Sequence, residues 1–200
     1  MKNLALIIAT FVLVGCGVPQ FSVKEADTRF SENNNQIYLS QNNRISTKSI
    51  AGGIHIDGTG VFLNPFLEKN RTTGELVFLG FNIINKTDYN SKYGGPNQLG
   101  IISDVVFLFP EGQLISLKVK NQENSTSDTI SYNNVVGYAS YNKWETGVVE
   151  ISKKDFERLA LTERFSCKIT GTRQLVVYEE KDIAPVFKSN IKQFYDSYLK

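Results

Sequence analysis

The chain has 200 residues, 41% of them hydrophobic and 21% charged, with a formal net charge of +2. That length suits one domain with a real core, and the composition is that of an ordinary globular protein. So small a charge, with no cluster of lysine and arginine, excludes the basic footprint on which nucleic-acid binding rests.

The first segment in the chain reads as an address. Met1-Lys2-Asn3 precedes an apolar run from Leu4 to Val14 that only Thr10 interrupts. A spanning helix needs about 20 mostly apolar residues, roughly twice this run. A positive tip, a short apolar centre and a small residue before a cut site instead describe a secretory signal. Leu13-Val14-Gly15-Cys16 resembles the lipobox of bacterial lipoproteins: a large apolar residue, a variable one, a small one, then cysteine. The resemblance implies cleavage between Gly15 and Cys16, with the Cys16 thiol acylated at the new N-terminus. Each buried methylene adds about 0.8 kcal/mol, so two or three acyl chains would hold the protein on the membrane without spanning it. In enteric-type bacteria an Asp after the lipidated cysteine favours the inner membrane. Gly17 follows here, so the outer membrane is the expected destination where the cell has one. The resemblance covers the first tenth of the chain and is silent about the rest.

Residues 17–49 are polar and rich in Asn, Gln and Ser, and read as a tether with one short strand at Ile37 to Leu39. The expected organisation is a signal at 1–15, lipidated Cys16 and tether at 16–49, and a single β-rich domain at 50–200. Two short strands are expected around Asp57-Gly58-Thr59-Gly60. "GELVFLGFNII" is apolar on both alternations, Val77, Leu79, Phe81 and Ile83 against Leu76, Phe78 and Ile84, which predicts a strand covered on both sides. "LGIISDVVFLF" is similar. Pro110-Glu111-Gly112 then makes a turn into "QLISLKVK", where Ile115, Leu117 and Val119 face inwards and Ser116, Lys118 and Lys120 face water. A Tyr-rich strand is expected over Thr129 to Tyr141, and another over Gly147 to Ile151. Ser152 to Asp155 fits a capping box before a short helix carrying Phe156, Leu159 and Ala160. "RFSCKIT" and "RQLVVYE" form a hairpin through Gly171-Thr172 in a type II′ turn. A terminal helix follows, with Asp182 as N-cap, Pro185 in the first turn and a stripe of Val186, Phe187, Ile191, Phe194, Tyr195 and Tyr198. The fold class is therefore α+β and mostly β: an antiparallel sandwich or curved sheet with a short and a C-terminal helix packed on it.

Chemistry is sparse. His55 is the single histidine, so a site built from several histidines is excluded; it shares a strand face with Asp57, but further metal ligands cannot be named. No serine sits on a nucleophile elbow, and neither phosphate-binding glycine pattern occurs. Cys167 alternates with Phe165 and Ile169, as a core thiol does, and has no partner once Cys16 is acylated. No metal or cofactor is expected. Asp57, Asp88, Asp104, Glu145 and Glu150 leave room for a carboxylate-based hydrolase of cell-wall or polysaccharide substrate, which requires two carboxyls about 5–10 Å apart across a cleft. The feature best suited to recognition is the stretch 85–98, fourteen residues without apolar period. It carries Tyr89, Tyr93 and Asn97, and Trp144 in "YNKWE" joins them as candidate binding residues. The expected function is a membrane-anchored envelope lipoprotein with a non-enzymatic domain that binds an envelope protein or glycan. A hydrolase and an assembly subunit of an envelope complex are the alternatives.

Overall fold

The computed structural model describes residues 20–26, 34–54, 58–92, 94–126, 131–133 and 137–200. Their strands are β1 (Ser22–Glu25), β2 (Asn35–Gln41), β3 (Gly60–Asn70), β4 (Leu76–Asn90), β5 (Ile102–Leu108), β6 (Leu114–Thr126), β7 (Ser131–Asn133), β8 (Tyr138–Glu150), β9 (Ser166–Gly171) and β10 (Leu175–Tyr178). The helices are α1 (Lys153–Leu161) and α2 (Pro185–Tyr198). The strands form one antiparallel sheet in the order β1-β2-β3-β4-β8-β6-β5-β9-β10, with β7 beside β8. Of the two expected forms of this mostly β, α+β fold, the curved sheet is the one observed.

Curvature follows from ring contacts. β4 and β5 are separated by β8 and β6, about 14 Å in a flat sheet at 4.7–4.9 Å per strand. Yet the rings of Phe81 on β4 and Phe107 on β5 have centroids 6.3 Å apart. The sheet therefore curls towards the face that carries the core, and both helices fill that hollow. Phe156 of α1 stacks on Phe81 at 5.4 Å and meets Phe194 of α2 at 5.8 Å. Phe165 bridges Phe107 at 5.8 Å and Phe187 of α2 at 6.5 Å. Such pairs contribute about 0.5–1.5 kcal/mol each beyond the area they bury.

The helices start where local chemistry permits. Ser152 Oγ accepts the Asp155 N–H at 3.0 Å, the expected cap of α1. α2 begins differently from expectation: its N-cap is Ala184, with Pro185 at the first helical position. Asp182 instead closes a one-turn 3₁₀ segment, Glu180–Asp182, and receives Lys48 Nζ at 2.6 Å. A carboxylate taken up by a lysine is not needed as a helix cap.

The largest of the other differences comes from tertiary partners for polar residues. Within the stretch expected as tether, β1 and β2 extend the sheet, and Ile45 is fully buried. Asn43 makes this possible: its N–H donates to Asn64 Oδ1 at 2.9 Å, its Nδ2 to Leu63 O at 3.0 Å, and it accepts from Asn190 of α2. The stretch 85–98 begins as strand, since β4 pairs with β8 through Asn90 opposite Ser140. Residues 138–150 form one long strand where two shorter ones were expected. The β9–β10 hairpin turns on Thr172 and Arg173, closed by Gly171 N to Gln174 O at 3.0 Å. Gly171 serves close approach: a Cβ there would lie 2.2 Å from Leu99 O.

Candidate functional site

β4 has its apolar residues on two faces, and the described helices, α1 and α2, roof one of them. Leu79, Phe81 and Ile83 are buried in the core. Val77, expected with them, is 54% exposed, because the β3–β4 register shifts between Glu68 and Lys69 and leaves it outside the pairing. On the opposite, open face stand Phe78, Ile84 and Lys86. Register aligns Phe62 with Ile84, Asn64 with Asn82, Phe66 with Gly80 and Leu39 with Phe66. Phe78 folds over Gly80, where a Cβ would lie 2.7 Å from its ring, and stacks on Phe66 at 5.1 Å.

Apart from Phe78 and Gly80, these residues and Trp144 of β8 line a groove of about 370 Å³. That size lies within the range of small-molecule sites. Leu39, Phe62, Phe66, Ile84 and Trp144 form its apolar wall, and Gln41, Asn42, Asn64 and Asn82 supply amides. Trp144 pairs across the strands with Lys86, and Lys86 Nζ lies beside Gly58 at one end. Among the described residues that line it, Lys86 is the only charged one. Two amides are already committed, Asn64 Oδ1 to Asn43 N–H and Asn42 Nδ2 to Gln20 O at 3.1 Å.

The expected binding residues do not gather at one place. Trp144 lies on the open face. Tyr89 alternates to the other face and stacks on Tyr141 with centroids 4.8 Å apart. Asn97 Oδ1 accepts Ser49 Oγ at 2.5 Å and Ala51 N–H at 2.9 Å, which fastens two loops together. Tyr93, His55, Asp57, Gly15 and Cys16 lie outside the described residues. Of the groove residues that composition did not mark, Phe62, Phe66, Ile84 and Lys86, only Ile84 had a signal: the double apolar alternation of β4.

The carboxyl groups are distributed. Glu145 is 1% exposed on the core face, where Oε2 accepts Asn85 Nδ2 at 2.8 Å and Leu99 N–H at 2.7 Å, and Oε1 accepts Gly100 N–H at 2.8 Å. Asp104 accepts Thr170 Oγ1 at 3.0 Å and Ser103 Oγ at 2.8 Å. Glu150 pairs with Lys120 at 2.8 Å. The register places Lys118 between Asp104 and Glu150 on the sheet surface. Asp88 is exposed on the open face of β4. Cys167 is fully buried, and burial pushes its thiol well above the usual range. Among the described residues, no group of three His, Cys, Asp or Glu side chains is placed to hold a metal ion, and no helix is long and apolar enough to cross a membrane.

No family model, no curated protein and no solved structure matches this chain.

Proposed function

We propose that this chain is a lipid-anchored envelope protein, held at Cys16, whose open sheet face is a non-enzymatic binding surface. The observation that carries the reading is the groove around Trp144, an apolar wall with convergent amides on a sheet face that neither described helix covers. The lipobox-like Leu13-Val14-Gly15-Cys16 supports the anchor, and Gly17 supports the outer membrane as its destination.

Two measurements test the two halves. Cys16→Ala should abolish acylation and signal cleavage, read by intact mass; an unchanged acylated mass would remove the anchor. For the surface, a photo-crosslinking residue replaces Asn82 on the groove floor of the full chain in intact cells. A discrete adduct that Trp144→Ala abolishes supports the groove, whereas equal adduct yield from Trp144→Ala would overturn it.

A further inference from the structure

The chemistry of the groove narrows what can enter it. Its floor strands, β3 and β4, have strand neighbours on both sides, β2 and β4 for one and β3 and β8 for the other. Their backbone N–H and C=O groups are consumed in those ladders. A peptide laid in the groove would find no free strand edge, and its own backbone polar groups would be set against an apolar wall at considerable cost. A sugar needs many hydrogen bonds, and Asn64 Oδ1 and Asn42 Nδ2 are already engaged. A hydrocarbon chain needs none. Phe62, Phe66, Ile84 and Trp144 offer it a continuous surface, and Lys86 puts the lining's only described charge at one end. Asp88, two residues further along the same face, lies outside the lining.

We propose that the groove binds a free fatty carboxylate, its chain along Phe62, Phe66, Ile84 and Trp144 and its acid group at Lys86 Nζ. This rests on the groove being the binding surface, and adds the class of ligand.

The protein carries its own reporter, since Trp144 is the only tryptophan. The full chain is placed in phosphatidylcholine vesicles at fixed lipid concentration and titrated with 2-bromododecanoate, whose bromine, next to the carboxylate, falls beside Trp144 opposite Lys86 and quenches indole on contact. Saturable quenching is expected. Each methylene removed from the acid should weaken binding, reckoned on the acid free in water, about fourfold, from about 0.8 kcal/mol per buried CH₂. 2-Bromododecanol should bind at least about tenfold more weakly, as loss of a charge-assisted bond implies. Lys86→Met should erase the preference for acid over alcohol with circular dichroism unchanged, and Lys86→Gln serves if Met perturbs the fold. Absence of saturable quenching, or equal binding of acid and alcohol by the unaltered chain, overturns the proposal. So does quenching by vesicles of brominated phosphatidylcholine that dodecanoate fails to relieve, because the bilayer is then the occupant. If the Asn82 adduct depends on Trp144 but the acid does not quench, the binding surface stands and the fatty carboxylate falls.

Discussion

Glu145→Gln tests how the return segment 95–100 is held on the sheet. The wild-type carboxylate takes two donors on Oε2 and one on Oε1, at 2.7–2.8 Å. In the amide, the oxygen does best in place of Oε2, keeping Asn85 Nδ2 and Leu99 N–H. Its NH₂ then opposes the Gly100 N–H. One buried donor loses its acceptor, costing about 1–3 kcal/mol, and the two remaining bonds lose their charge assistance. Removing a buried charge returns part of this. The net is a loss of about 2 kcal/mol, which at this chain length lowers Tm by about 4–8 °C. Glu145→Ala leaves the Leu99 and Gly100 N–H groups unpaired beside a void, while Asn85 Nδ2 keeps Asn97 O at 2.9 Å, and should cost about 4 kcal/mol or more. Urea unfolding followed by circular dichroism gives the magnitude, and hydrogen exchange at the Leu99 and Gly100 amides gives the location. A change below about 0.5 kcal/mol in Glu145→Gln, with those amides still protected, would refute the clamp.

Other expectations follow from neighbouring features. Gly171→Ala should cost about 1–3 kcal/mol in urea unfolding, because its methyl would meet the Leu99 carbonyl and neither backbone can yield freely. Phe156→Ala removes the ring that joins Phe81 to Phe194 and should cost about 3–5 kcal/mol, read as a lower thermal midpoint. Cys167, buried and with its thiol pKa raised, should resist an aromatic disulfide reagent in the native chain and react at the rate of unfolding. The hydrogen bond from Lys48 holds the Asp182 carboxyl below its ordinary pKa, with the Glu179 N–H assisting. Its contribution is full above the unfolded value near 4 and fades as pH falls through the lower folded value. The stability gap between the unaltered chain and Asp182→Asn should therefore close between about pH 5 and pH 2 in urea titrations.

What could be read from the residues depended on whether a signal was local. Ser152 caps its own helix three residues away, and Phe109 N–H reaches Gln113 O across the Pro110 turn, so both were legible. The alternation of Ile115 and Leu117 against Ser116 and Lys118 reads directly as inside and outside. Long-range partners were invisible. Asn43 looks like any tether asparagine until Asn64, Leu63 and Asn190 satisfy it, from up to 147 positions away. Asp182 resembles a helix cap because Lys48, 134 positions earlier, leaves no local trace. The groove was half legible. Both alternations of β4 announced two apolar faces, but only the packing of Phe156 on Phe81 shows which of them the helices roof.

The early start of the sheet alters the mechanics of the proposed anchor. β1 begins at Ser22, six positions after Cys16. Whatever conformation those residues take, covalent geometry limits them to a leash of about 20 Å. A chain acylated at Cys16 would not reach far into the surrounding space; its β1 edge would hug the bilayer, and Leu39 on adjoining β2 would bring the groove mouth with it. Molecules leaving or skimming the membrane surface would meet that mouth by two-dimensional search before anything dissolved at a distance could.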